Sequence, residues 1–260
     1  MHKRLALITG STSGIGLGIA KVMAANSYNL IINGFGDEAE IAKVIDELQQ
    51  HKIEAKYYPT DLTKPDDIKL MISDAVQHFG TNIDLLVNNA GMQHVAMIED
   101  FQTENWDKII SLNLSAAFHT ISAVMTQMKQ NNFGRIINIA SAHGLVASAN
   151  KAAYVASKHG VIGLTKVVAL ETAKCENLTC NAVCPGWVLT PLVEKQIVKI
   201  SNENNISYDE AKIQLLSEKQ PSEEFVTVDQ IGEMVKYLCS DAARSITGAA
   251  LSIDGGWTAR

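Results

Sequence analysis

The feature that most constrains this chain is a rhythm. Short apolar runs of β type alternate with longer runs of helical spacing along the sequence. Residues 4–8 are apolar and brief, and Ile15, Ile19, Val22 and Met23 then recur on one helical face. The spacing predicts further strands over 30–33, 54–58, 84–87, 135–139, 178–183 and 249–253. It predicts helices over 38–50, 104–130 and 152–173. After Tyr58, Thr63-x-x-Asp66 with Pro65 in the first turn reads as a helix start. Ile68, Met71, Ile72, Ala75, Val76 and Phe79 line one face of that helix, and Thr227-x-x-Gln230 predicts the cap of a last helix. This alternation calls for an α/β fold, a doubly wound, mostly parallel sheet of seven strands with helices on both faces.

A length of 260 residues suits one large domain, and no Pro/Gly/Ser-rich linker divides it, so a single domain over 1–260 is expected. The exception to the rhythm is 191–222, a polar stretch holding Asn202-Glu203-Asn204-Asn205. Connections this long are uncommon unless functional. It is read as a helical flap over the active-site end of the sheet.

Composition removes several classes. A formal charge of −6, from 22 basic and 28 acidic side chains, argues against a nucleic-acid binder. Four cysteines, at 175, 180, 184 and 239, are too few for a disulfide scaffold, and their gaps match no common zinc spacing. The basic start His2-Lys3-Arg4 and apolar Leu5–Ile8 mimic a signal peptide, but Gly10-Ser11 ends the run too soon. No run of 18 apolar residues predicts a membrane span.

Thr9-Gly10-Ser11-Thr12-Ser13-Gly14-Ile15-Gly16 comes after the first strand and opens the first helix. Glycines there let the backbone approach a pyrophosphate, which the free N–H groups of a helix N-terminus bind. Asp61-Leu62 and Asn88-Asn89-Ala90-Gly91 come after the third and fourth strands, at the same sheet edge. The second strand ends Asn33-Gly34-Phe35-Gly36-Asp37, and no Arg or Lys occurs from 33 to 42. A 2′-phosphate would want such a cation, so NAD is favoured over NADP. Asp37 is the nearest acid for ribose hydroxyls, though it could equally cap the next helix.

Tyr154-x3-Lys158 places a phenol and an ammonium one helical turn apart. A free phenol has a pKa of about 10, and a nearby cation lowers it toward a usable base. Ser141 ends the fifth strand, where its hydroxyl can hold a substrate oxygen. Asn113 lies inside the helix 104–130, where Asn is a mediocre former, and a water-binding role would explain it.

On these residues, with Pro185-Gly186, the chain resembles the short-chain dehydrogenase/reductase family over essentially its whole length. The resemblance implies a Rossmann-like sheet and a catalytic set of Asn113, Ser141, Tyr154 and Lys158. Tyr154 would be the acid/base, Ser141 would orient the substrate oxygen, and Asn113 would position a water of a proton relay. Lys158 would hold the nicotinamide ribose and lower the tyrosine pKa. NAD would lie along Gly10, Thr12, Ser13, Gly14, Ile15, Gly16, Phe35, Asp61, Leu62, Asn88, Ala90 and Gly91. Tyr154 and Lys158 would meet it as well, with Pro185, Gly186, Val188 and Thr190 on the nicotinamide side.

The substrate is to be read from polar groups near Ser141 and Tyr154. Gln93, His143, Lys151 and the flap's Gln196 offer two amides, an imidazole and a cation. An apolar substrate would leave such donors unpaired at ~1–3 kcal/mol each, whereas a small anion satisfies several. Trp187 and Trp257 can wall off a small apolar part. Several stretches also resemble the bacterial branch of the family that acts on (R)-3-hydroxybutyrate and acetoacetate. They are Asn89–Val95, Ser141–Ser148, Lys151-x-x-Tyr154, Cys184–Val193 and Gly255–Ala259. That resemblance implies Gln93, His143, Lys151 and Gln196 as carboxylate binders, a cytoplasmic homotetramer and no catalytic metal. A 3-oxoacyl carrier-protein reductase is the alternative enzyme. A non-catalytic NAD-binding sensor would be expected to lack part of the Asn/Ser/Tyr/Lys set, which is complete here.

Overall fold

The computed structural model describes residues 3–259; Met1, His2 and Arg260 lie outside the described residues. Seven strands form one sheet: β1 (Leu5–Ile8), β2 (Asn29–Asn33), β3 (Ala55–Tyr58), β4 (Leu85–Asn88), β5 (Gly134–Ile139), β6 (Leu178–Pro185) and β7 (Ala250–Ile253). Their order is β3-β2-β1-β4-β5-β6-β7, and every pairing is parallel. The central strands are apolar on both sides, as a sheet covered by helices on both faces requires.

Alternate residues along each strand build two separate cores. Ala6, Ile8, Leu30, Ile32, Val87 and Ile137 face one way. They pack on Ile19 and Met23 of α1 (Gly14–Ala25) and on Ile231 and Val235 of α9 (Val228–Cys239), with α2 (Glu38–Gln49) beside them. Leu5, Leu7, Ile31, Leu86 and Ile136 face the other way. They meet Ile68 of α3 (Pro65–Phe79), Val124 of α5 (Ala116–Gln130) and Val168 of α6 (Ala152–Thr172). β1 pairs with both β2 and β4, so the chain reverses direction across the sheet at that point. In open α/β sheets the crevice beyond the carboxyl ends of those two strands is where ligands bind.

Three local details depart from the expected elements. Thr63 does not cap α3; Lys64 occupies that position, without a side-chain cap. The Thr63 hydroxyl and backbone N–H donate instead to Asp61 Oδ1, at 2.7 and 3.0 Å. The helix expected over 104–130 is α4 (Thr103–Ile110), a π turn (Ser111–Ser115) and α5. β6 runs two residues further than expected, because Cys184 and Pro185 pair with Ser252 and Ile253 of β7. Asp37 does cap α2, in a reciprocal capping box with Glu40. At the other end of the chain Thr227 and Gln230 form the expected box on α9. By length and composition the stretch Thr103–Gln130 is apolar enough to cross a membrane; here it lies against α3 and α6.

Within 191–222 the chain forms α7 (Pro191–Asn204) and α8 (Tyr208–Ser217). They pack on each other through Val193, Ile197, Ala211 and Leu215, with Trp187 and Phe225 against that cluster. Both ends of the excursion are tied together. Val188 bridges Val226, the Val226 N–H donates to Trp187 O at 2.9 Å, and buried Gln220 accepts from the Trp187 N–H at 2.8 Å.

Candidate active site

The loop after β1 is shaped for close approach. Gly10 sits at φ +63°, and a Cβ there would lie 2.9 Å from Ala90 Cα. A Cβ at Gly16 would collide with Gly10 O. The two loops are held together by Asn89, whose Nδ2 donates to Thr9 O at 2.9 Å and Gly10 O at 3.0 Å. Thr9 Oγ1 in turn accepts from the Asn89 and Ala90 N–H groups. Ser13 stands at the N-cap of α1 but makes no side-chain cap, and no acid occupies the first turn. This helix therefore presents its free N–H groups and positive dipole end to an anion, unlike α2 and α9.

The second strand's end closes on the same loop. Thr12 Oγ1 donates to Phe35 O at 2.6 Å, and the Phe35 ring is 89% exposed, free to lie along a ligand. Exposed Asp61 lies beyond β3 with its pKa held down by Thr63. Leu62 and Ala90 lie behind the cleft with Asn88. The Asn88 side chain is spent inside the protein: it donates to Asn138 Oδ1 at 2.9 Å and accepts from Thr120 at 2.6 Å. Thr190 caps α7 and faces Gly14, where a Cβ would lie 3.5 Å from its methyl.

One cavity of about 200 Å³ opens beside this groove. Ile15, Gly91, Gln93, Ser141, His143, Lys151, Tyr154, Lys158, Gly186, Trp187, Val188, Thr190 and Trp257 line it. Asn89, Met92 and Val193, not singled out in the sequence as ligand contacts, line it too. Gln196 does not. It is half-buried on the shoulder of α7, because Val193 and Ile197 take the inward positions. Pro185 is buried at the end of β6, just before the lining residue Gly186.

Ser141 caps the short 3-10 turn Ala142–Gly144 and accepts from the His143 N–H at 3.2 Å. Its hydroxyl shares the cavity wall with the Tyr154 phenol and draws that pKa down. Burial acts the other way and wins, so Tyr154 stands above its ordinary value. Lys158 is buried and donates to Ile139 O at 2.7 Å, with its Nζ 5.7 Å from the Tyr154 ring centre. Desolvation brings its pKa down to about 8. The expectation that Lys158 lowers the tyrosine pKa is therefore not met in the free protein, where burial outweighs the neighbouring Ser141. Both groups are desolvated, and the ammonium is turned to a backbone carbonyl.

Asn113 lies in the π turn, a device frequent at functional sites. Its Oδ1 accepts from the Met92 N–H at 2.9 Å, and its Nδ2 donates to Met92 O and to Ser157. Both side-chain hydrogens are thereby used. The residue fastens the loop after β4 to α6.

The far end of the cavity is cationic and aromatic. Lys151 Nζ sits 5.3 Å over the Trp187 ring, and Trp187 stacks on Trp257 at 6.0 Å. His143 meets the Trp257 ring edge-on at 4.9 Å and Tyr154 at 5.9 Å. Burial, then the charge of Lys151, then that of Lys219, push the His143 pKa down to about 3, so the imidazole is neutral. Burial and Lys219 bring Lys151 down to about 8. Asp254 accepts from Gly256, from the Thr258 backbone and from the Thr258 hydroxyl, which fixes the last turn and holds Trp257 in place. Of these supporting residues, Asn89 lay inside a stretch already conspicuous in sequence. Lys219 and Gln220 gave no local signal, because their partners are 71 and 33 residues away.

A parallel sheet with a phosphate-shaped loop at its reversal point, and a Ser/Tyr/Lys group beside it, defines a dinucleotide-dependent oxidoreductase. Residues 4–200 match the family model for short chain dehydrogenases, and the chain belongs to that family. It is 53% identical over 260 residues, the whole of both chains, to a D-beta-hydroxybutyrate dehydrogenase of Cupriavidus necator. It is 50% identical to another of that name from Rhizobium meliloti, over 99% of each chain. Among solved structures, a variant of an actinorhodin polyketide ketoreductase with NADPH superposes with a TM-score of 0.92. That protein is 33% identical, over 99% of this chain and 98% of its own.

Proposed function

We propose that this dehydrogenase interconverts (R)-3-hydroxybutyrate and acetoacetate, with NAD as its dinucleotide. The observation that carries the reading is the cationic, aromatic wall of Lys151, His143, Trp187 and Trp257 next to Ser141 and Tyr154. A carboxylate on Lys151 and His143 would put a neighbouring 3-hydroxyl at the phenol. The cavity of about 200 Å³ suits a small acid; sites for drug-sized ligands run to roughly 300–1,000 Å³. The names of the two relatives support the same substrate.

The glycine loop, the uncapped start of α1 and Lys158 fit a nicotinamide dinucleotide. When bound, that group supplies the hydride acceptor and donor. The protein's own part is to orient the substrate oxygen through Ser141 and to move its proton at Tyr154 Oη. Lys158 would hold the ribose, and Asn113 would keep the π turn open for a water beside it. The decisive measurement is a set of initial rates over 3-hydroxybutyrate of both hands, longer 3-hydroxy acids and neutral secondary alcohols. Equal rates on neutral and anionic substrates, or a clear preference for a 3-oxoacyl thioester with NADPH, would replace the reading with another reductase.

NAD is expected to exceed NADP in kcat/KM by more than about tenfold, a difference of roughly 1.4 kcal/mol. The turn after β2 has no cation from 33 to 42, and the acidic Asp37 and Glu38 that follow it would repel a 2′-phosphate. Steady-state rates with each dinucleotide decide it, and equal use of the two would remove the claim.

The helices of 191–222 act, in this reading, as a flap that closes on substrate. Gln196 reaches the carboxylate only after movement, because it stands outside the cavity lining. Limited proteolysis should cut the flap in the free and NAD-bound protein and be slowed by a substrate analogue. Equal protection by NAD alone would assign closure to the cofactor. The implied homotetramer would cover Phe118 of α5 and Val167 and Leu170 of α6, which are exposed apolar side chains. The implied cytoplasmic setting, without nucleic-acid or membrane partners, belongs to the same reading.

A further inference from the structure

The cavity's imidazole is held from behind by two residues that do not line it. Lys219 Nζ donates to Ser148 Oγ at 3.0 Å, and Ser148 Oγ lies 2.8 Å from His143 Nε2. Lys219 precedes Gln220, the buried amide bolted to the Trp187 backbone, so its position is set by that anchor. Its ammonium also lies 5.9 Å over the Trp257 ring.

An ammonium has donors only. Ser148 Oγ, accepting from Lys219, keeps a second lone pair and its own hydrogen; that hydrogen has no other acceptor among the described residues, and His143 Nε2 lies 2.8 Å away to take it. His143 is neutral, so its one ring proton then sits on Nδ1. Among the described residues no partner bonds Nδ1, while the ring itself lines the cavity. We infer that Lys219, acting through Ser148, is a positioning residue that fixes His143 as the Nδ1–H tautomer and so makes it a donor to the substrate's anionic end. Without Lys219 the Ser148 hydroxyl can turn to accept from Nε2–H. Nδ1 then becomes a lone pair facing a carboxylate, which repels it.

The inference rests on reading His143 as a carboxylate contact, but its test does not need a substrate. Protein labelled with ¹⁵N-histidine separates the two tautomers by their ring-nitrogen shifts. His143 is assigned by the signal lost in His143→Gln. The free wild-type protein should show His143 protonated on Nδ1. Lys219→Met and Ser148→Ala should both shift it toward Nε2–H, and Lys219→Arg, which keeps a donor, should restore Nδ1–H. Ser148→Ala leaves the Lys219 charge in place, so its effect separates the relay from simple charge. In kinetics, Lys219→Met should raise KM for 3-hydroxybutyrate about tenfold, the scale of one hydrogen bond to a charged group, with kcat altered less. A wild-type protein with His143 on Nε2–H, or a Lys219→Met protein that keeps Nδ1–H, overturns the inference. The predicted tautomer series together with no turnover of any 3-hydroxy acid would uphold the role of Lys219 while removing the substrate assignment.

Discussion

Tyr154→Phe is expected to lower kcat by about 10²–10⁴-fold, the contribution of a positioned acid/base, while dinucleotide binding stays near wild type. The phenol lines the cavity with Ser141 and lies beside the buried ammonium of Lys158. Its removal leaves the glycine loop, the start of α1 and Lys158 untouched, so the surface that would hold the cofactor is unchanged. Lys158→Ala should differ in kind. It takes away a buried cation that donates to Ile139 O, and both turnover and dinucleotide affinity should fall. Fluorescence titration with NAD, run beside steady-state rates, separates the two variants. Near-wild-type kcat in Tyr154→Phe would remove the phenol from the chemistry, whatever the substrate.

The strands were legible because each is a short, largely apolar run closed by a turn-forming residue such as Gly, Asn, Asp, Pro or Ser, and a strand covered on both faces has little choice of composition. The helices were legible where one face stayed apolar, as in Ile68, Met71, Ile72 and Ala75 of α3. What failed was local chemistry with a competing partner. Thr63 could cap α3 or bond Asp61, and the turn geometry chose Asp61. The π turn was invisible because an extra residue in one helical turn barely disturbs the apolar pattern from Trp106 to Met128. Tyr154 and Lys158 were placed correctly as neighbours, yet the direction of the tyrosine shift was not legible. It depends on how deeply both groups are desolvated, and a spacing rule carries no such information. Gln196 illustrates the same limit. Its place in sequence next to the site is real, but the register of α7 is set by Val193 and Ile197, which pack on α8. Ser148 and Lys219 meet across 71 residues, so only the fold brings them together.

Lys151→Ala is expected to reduce kcat/KM for 3-hydroxybutyrate about ten- to hundredfold. The bond lost is charge-assisted and worth roughly 1.5–3 kcal/mol, and 1.4 kcal/mol is tenfold. A neutral secondary alcohol has no carboxylate to lose, so its rate should change little, and NAD affinity should hold. The pH dependence gives an independent arm. Burial and Lys219 place the Lys151 pKa at about 8, so its charge is present below that pH and lost as pH rises through it. Anion binding should weaken over the same interval. His143, at about 3, stays neutral throughout and adds no step. Lys158 also titrates near 8, but its loss touches every substrate alike. The ratio of kcat/KM for 3-hydroxybutyrate to that for a neutral alcohol therefore isolates Lys151. In wild type that ratio should fall above about pH 8, and in Lys151→Ala it should be low and flat. A ratio that does not move with pH, together with equal slowing of both substrates by Lys151→Ala, would make Lys151 a structural residue and remove the physical basis for an anionic substrate.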